Sequence, residues 1–223
     1  MKLLCFIKNL KTKIFAIVVG TVATLLFYQT TNRVHLYEPQ LLSFLWIDRV
    51  TPFLPSTVWI YFSEYVIFLF AFLQLKDNRR ASQYFYSYMA ILIFSSVFFV
   101  IYPVTFPRDN YPVLSEHGFS GVALNFLRQH LDTPANCFPS LHVSTCYISA
   151  FCFWGECKKK FSLYFLWSTL VAISTMTTKQ HYFVDIAAAI FITFVLYWIF
   201  FYKVSYRNFY ASNGSGNSGA AIL

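Results

Sequence analysis

Outside the apolar runs, most side chains able to do chemistry gather at residues 102–108, 137–144 and 178–185. In the third group His181 and Asp185 are four apart. On a helix that spacing puts them on one face, about 6 Å apart at Cβ. The carboxylate can then accept from one ring nitrogen, fix the tautomer and raise the basicity of the other nitrogen, as a nucleophilic or acid–base histidine requires. Asp185 also opens an apolar run, a costly place for an acid without a role. The plain alternative is a His–Asp pair that only caps a helix. In the second group Pro139 suits a first helical turn. Ser140 and the free N–H groups of that turn form an anion site, and His142 is placed to give a proton to a leaving oxygen. In the first group Arg108 follows Pro103 and Pro107 and offers a fork for phosphate oxygens. Lys179 adds a point charge two residues before His181. Singly, each feature has an ordinary structural reading; together they describe a phosphate site.

The elements that carry these residues are apolar helices. The 223 residues are 57% hydrophobic and only 12% charged, about half the charge of a soluble domain. Uncharged runs predict six membrane spans near 13–29, 56–75, 82–103, 139–156, 161–178 and 183–202. The fold class expected is therefore an all-α polytopic membrane bundle, one domain over 1–207 with its catalytic core in 56–202. No internal repeat is visible, and residues 208–223 read as a flexible polar tail. The net charge of +8 belongs to loops rather than to nucleic-acid binding. With both ends cytoplasmic, Lys2, Lys8, Lys11, Lys13, Lys76, Arg79, Arg80, Lys158, Lys159, Lys160, Lys203 and Arg207 face inward, twelve of the 17 basic residues. That bias orients the chain, and it places all three reactive groups at the outer face. Residues 39–46 and 118–131 show apolar residues at helical spacing, with Phe119, Val122, Phe126 and Leu127 on one face, and are expected to be interfacial helices. The basic start followed by an apolar run reads as an uncleaved first span. The five cysteines have neither disulfide nor metal spacing and read as packing residues.

Pro139-Ser-Leu-His142 and Ser174-x6-His181-x3-Asp185 resemble the second and third signatures of the type 2 phosphatidic acid phosphatase superfamily, Pro-Ser-x-His and Ser-Arg-x5-His-x3-Asp. Residues 102–108 resemble its first signature, Lys-x6-Arg-Pro, in the shortened form of the inositol phosphorylceramide synthase-like branch. The resemblance implies a lipid phosphatase, with a phospholipid or lipid phosphate as substrate. In it His181 attacks phosphorus to form a phosphohistidine, Asp185 orients His181, and His142 protonates the leaving alcohol and then activates water or a second alcohol. Arg108, Ser140, Lys179 and Tyr102 would bind the substrate phosphate, with Ser174 and Tyr182 accessory. No cofactor or metal is implied, and the outer acids Glu38, Asp48, Asp109, Glu116 and Asp132 form no ligand set in the sequence.

The family pattern is incomplete here. Thr175 stands where it has arginine, and Ile101 where its first signature has lysine. Lys179 is the replacement candidate. Fewer clamps suit a phosphodiester, which keeps a headgroup phosphotransferase as the alternative; a small transporter fits less well, because the polar residues sit at one face rather than at the midplane. Glu64, about two turns into the second span, is a buried acid and so an accessory candidate, expected to pair with Arg108 or a tyrosine.

Overall fold

A computed structural model describes residues 2–132 and 135–208; the expected polar tail, from residue 209 on, lies outside them. The chain is mostly helical. α1 (Leu10–Thr31) starts at Asn9, whose side chain accepts from Thr12 N–H while Asn9 N–H donates to the Thr12 hydroxyl. This reciprocal cap satisfies two donors at the helix start. After β2 (Gln40–Leu41) and the short α2 (Trp46–Val50), the second long segment runs from a 3-10 turn at Pro55–Thr57 through α3 (Val58–Phe62) and α4 (Glu64–Gln74). It breaks at Ser63, whose N–H and hydroxyl both donate to the Ile60 carbonyl. α5 (Asn78–Ile101) leads to β3 (Val104–Thr105), and α6 (Gly118–Phe126) continues through a π turn, Leu127–Leu131. Then come α7 (Leu141–Phe151), α8 (Lys158–Thr177) and α9 (Phe183–Trp198), the last extended by a π turn to Lys203.

Four of these segments are long and apolar enough to cross a membrane: Leu10–Thr31, Pro55–Gln74, Asn78–Ile101 and Phe183–Lys203. The expected fourth span, 139–156, holds only the 11-residue α7, every residue of which is buried. α7 is enclosed by α4, α5, α8 and α9, so it answers to protein rather than lipid. Its hydroxyls show this: Tyr84 and Ser149 share a bond of 2.6 Å, and Ser144 donates to the Ala189 carbonyl at 3.4 Å. α8 is 20 residues long but opens with three lysines and carries Ser168, Ser174 and Thr175 buried against the bundle. The outer surface of the bundle is apolar, with Phe15, Val18 and Leu25 of α1 and Leu163, Leu166 and Leu170 of α8 exposed. Continuous surface of this kind marks a partner or a membrane.

The two ends of the bundle are tied differently. At one end β1 (Lys2–Cys5) pairs in parallel with β4 (Ser205–Asn208), bringing the start and finish of the described chain together. At the other, β2 pairs in parallel with β3. This second ladder corrects the reading of residues 39–46 as a helix. Gln40 N–H donates to the Pro103 carbonyl at 2.9 Å, which holds the segment extended, and helix begins only at Trp46. Residues 118–131 are helical, with Phe119, Val122 and Phe126 exposed but Leu127 fully buried.

Candidate active site

The third reactive group is built by the end of α8. Gln180 N–H returns to the Thr175 carbonyl at 2.9 Å and Lys179 N–H to that of Met176 at 3.1 Å. These are the two bonds of a Schellman cap, which needs a left-handed residue between them. Lys179 fills that place, with φ 56°. The turn then points His181 inward just before α9. His181 is therefore not on the helix, as its spacing from Asp185 suggests; Tyr182 is the N-cap and Asp185 sits in the first turn. The pair still forms, because Asp185 Oδ2 accepts from Tyr182 N–H at 2.9 Å and lies 3.3 Å from His181 Nδ1. A closer partner for His181 Nδ1 is the Cys137 carbonyl at 3.0 Å. A carbonyl only accepts, so Nδ1 carries the hydrogen and Nε2 keeps its lone pair.

His142 lies in the first turn of α7, whose N-cap Ser140 accepts from Val143 N–H at 3.4 Å. Its Nδ1 is 2.9 Å from Glu64 Oε1. Glu64 thus pairs with this histidine, and Arg108, its expected partner, goes to Asp132 instead. Arg108 Nη2 is 3.2 Å from Asp132 Oδ2, and Nη1 donates to the Asp132 backbone carbonyl. Tyr61 donates to Asp132 Oδ2 at 3.0 Å, and Tyr28 donates to Oδ1. The His142 and His181 ring centroids are 5.7 Å apart. His142 Nε2 is 3.9 Å from Asp132 Oδ1, beyond hydrogen-bond length. Both Nε2 atoms, together with Arg108 Nε, are buried without a hydrogen-bond partner among the described residues. One site is thus lined by two histidines, each oriented through Nδ1, and by a paired guanidinium whose Nε–H has no partner among the described residues.

The sequence missed Asp132. It was grouped with outer acids that form no ligand set, whereas one ligand atom each from Asp132, His142 and His181 lie within 4.8 Å of one another. The helical spacing of residues 118–131 does not announce where the chain goes after it; the signal was an acid directly after the apolar Leu131. Burial opposes ionisation of Asp132, but Arg108 and the two histidines outweigh it and hold the carboxyl below the usual range. Arg128 was also passed over. Its Nη1 and Nη2 donate to the carbonyls of Tyr111 and Thr178, each at 2.9 Å, and burial first, then Arg108, pushes its pKa down to about 10.

Other expected residues fall outside the cluster. Lys179 Nζ donates to the carbonyls of Asp48 and Thr51 at 3.1 and 2.6 Å and lies over the Tyr111 ring. Burial lowers its pKa. Ser174 donates to the Val171 carbonyl within its own helix. Tyr182 donates to the Thr105 carbonyl at 3.0 Å, bracing the β2–β3 end. Tyr102 is 39% exposed and packs against Phe138.

The model of the PAP2 superfamily matches residues 26–199, which include every residue of the cluster. No curated protein and no solved structure matches the chain.

Proposed function

Since the chain belongs to the PAP2 superfamily, whose members point to phosphatase or phosphotransferase chemistry, we propose that it cleaves a phosphoester on a membrane lipid through a phosphohistidine. The observation that carries this reading is the pair of histidines, ring centroids 5.7 Å apart, each bonded through Nδ1 and each with a buried Nε2 that has no hydrogen-bond partner among the described residues. His181 Nε2 attacks phosphorus as the P–O bond to the leaving alcohol breaks. His142, protonated on both nitrogens, gives its Nε2 proton to that oxygen. His142 Nε2 then takes a proton from water, whose oxygen attacks phosphorus; the P–N bond breaks and phosphate leaves. Asp185 and the Cys137 carbonyl orient His181, and Glu64 orients His142 and supports its positive charge. The free N–H of Arg108 and the start of α7 at Ser140 receive the phosphoryl oxygens.

A second reading is favoured by the charges. Arg108 is already matched by Asp132, and Lys179 is turned to backbone carbonyls. A phosphodiester carries one charge less than a monoester and asks for fewer clamps. Transfer of a headgroup to a second alcohol, as in the inositol phosphorylceramide synthase-like branch, fits that deficit. The covalent intermediate is the same, and only the acceptor differs.

We read α7 and α8 as crossing with the four apolar segments, six spans in all. The β1–β4 pairing supports an even number of crossings, because it brings both ends of the described chain to one end of the bundle. The lysine and arginine bias favours a cytoplasmic position for that end and an outward-facing site. Exposed Phe119, Val122 and Phe126 suit α6 to the interface plane.

The test is purified protein in detergent with a chelator, given labelled lipid phosphates and phosphodiesters. Acid-stable retention of label is not expected of a phosphohistidine, so base-stable, acid-labile label on wild type that is lost in His181→Ala supports the reading. Turnover that survives in His181→Ala would sink it. Release of inorganic phosphate marks the phosphatase, and a new headgroup lipid marks the transferase.

A further inference from the structure

The groups that would serve a phosphate also make a ligand set. One ligand atom each from Asp132, His142 and His181 lie within 4.8 Å of one another, and all three residues are buried. The carboxylate oxygen and His142 Nε2 are 3.9 Å apart. A tetrahedral site with bonds near 2.0–2.1 Å sets its ligands roughly 3.3–3.5 Å from each other, so small movements close the set. The surroundings favour it as well. A histidine ligand binds through one nitrogen while the other donates to a carboxylate or carbonyl, which fixes the tautomer and raises ligand basicity. Here His142 is held by Glu64 and His181 by the Cys137 carbonyl, and both Nε2 atoms lack a hydrogen-bond partner among the described residues. Tyr28, Tyr61 and Arg108 hold the Asp132 carboxylate in place. Two imidazoles and one carboxylate select a zinc-type ion over magnesium or calcium.

A second group, Cys137, His181 and Asp185, also lies within ligand range. It is the weaker candidate. His181 Nδ1 is already engaged with the Cys137 carbonyl and with Asp185 Oδ2, which also accepts from Tyr182 N–H, so an ion there would have to break the bonds that orient the ring.

The geometry points to an inhibitory site for a zinc-type dication on Asp132, His142 and His181, in the place where phosphorus is held. The inhibition rests on the phosphohistidine reading above; the binding itself does not. A bound ion takes the Nε2 lone pair that would attack phosphorus and the Nε2 position that would carry the transferred proton. Zinc thereby closes the site to lipid phosphate, and removing zinc reopens it.

The experiment uses the full chain in detergent, stripped with a chelator. Cobalt(II) as a spectroscopic probe, and zinc by calorimetry, are titrated without substrate. One ion per chain is expected, with the visible absorption of a four-coordinate cobalt site. His181→Gln and Asp132→Asn should each weaken binding about tenfold or more, while magnesium does not compete. Where a variant fails to fold, wild type alone answers: zinc should shield His142 and His181, and not the exposed His130, from acylation by diethyl pyrocarbonate. Absence of stoichiometric binding, equal labelling with and without zinc, or loss of binding in Cys137→Ser would each overturn the site. With lipid phosphate present, zinc should inhibit competitively and chelator restore the rate; a rate raised by zinc would overturn the inhibitory role. Failed zinc binding beside intact metal-free turnover rejects this inference alone. Zinc binding beside absent phosphoester turnover rejects the phosphohistidine reading alone.

Discussion

Glu64 offers the sharpest measure of the proposed chemistry, because it touches the proton donor and not the phosphate. Its Oε1 lies 2.9 Å from His142 Nδ1, with both side chains over nine-tenths buried. Glu64→Gln keeps an acceptor at the same place and removes only the charge. A hydrogen bond to a charged group contributes about 1.5–3 kcal/mol and a neutral one about 0.5–1.5 kcal/mol. The difference, about 1–1.5 kcal/mol, should appear as a roughly five- to thirteenfold fall in kcat. Glu64→Ala removes the acceptor altogether and should cost roughly 10- to 150-fold by the same conversion. KM should move little in either, since Glu64 makes no contact with Arg108 or Ser140 among its bonds. The assay is the initial rate on a lipid phosphate in mixed micelles, with the melting temperature of each variant measured alongside. A graded loss in kcat, glutamine milder than alanine, is the expected signature of a residue that acts through His142. Two folded variants within twofold of wild type would refute it, as would an equal loss carried in KM.

Other substitutions separate the parts of the site. Arg108→Lys loses the fork that meets both the carbonyl and the carboxylate of Asp132; KM for the lipid should rise severalfold, and an unchanged KM would remove Arg108 from the phosphate. Lys179→Met should lower the melting temperature, because two backbone carbonyls lose a buried donor at about 1–3 kcal/mol. A hundredfold loss of kcat without a stability change would instead place that ammonium on the phosphoryl group. Asp132 is held below the usual carboxylate range, so its ionised form adds stability at pH values above its unfolded pKa of about 3.9. That contribution fades as pH falls toward the depressed folded value. The melting-temperature gap between wild type and Asp132→Asn should therefore be widest near neutral pH and narrow in acid; a gap independent of pH would contradict the pairing with Arg108.

The parts of the site that were legible share one property: their partners are near in sequence or their setting is unusual. His181 and Asp185 are tied by a short spacing, and the contact survives although it forms through a capping turn rather than along a helix face. His142 follows a Pro-Ser helix start. Glu64 stood out as an acid in an apolar run, yet its partner lies 78 positions away and could not be read. Lys179 shows the opposite error. Two residues from His181 it looked like part of the site, but its turn aims Nζ at the carbonyls of Asp48 and Thr51, 131 and 128 positions earlier. Asp132 was hidden because the helical spacing that ends at Leu131 gives it no partner, and four residues from elsewhere in the chain define it: Tyr28, Tyr61, Arg108 and His142. Helical spacing over residues 39–46 misled for a related reason, since a ladder with β3 decides that segment and apolar periodicity does not.

The division between rigid and connecting elements assigns the tasks of the site. The two carboxylates that would orient the histidines in the proposed mechanism, Glu64 and Asp185, stand at the first turns of α4 and α9. His142 stands on α7, which every neighbouring helix encloses. A packed helix holds such groups more closely than a loop does. Arg108 and Asp132, by contrast, come from the connections between α5 and α7. Connections vary in sequence more readily than the elements they join, so the charge offered to the substrate can change while the histidine pair stays fixed. Exchange of Asp132 for a neutral residue should accordingly alter which phosphate ester is preferred more than it alters the chemical step. The readout is the ratio of kcat/KM for a lipid monoester to that for a phosphodiester, expected to rise in Asp132→Asn. A fall of both by the same factor would place Asp132 in the chemistry itself.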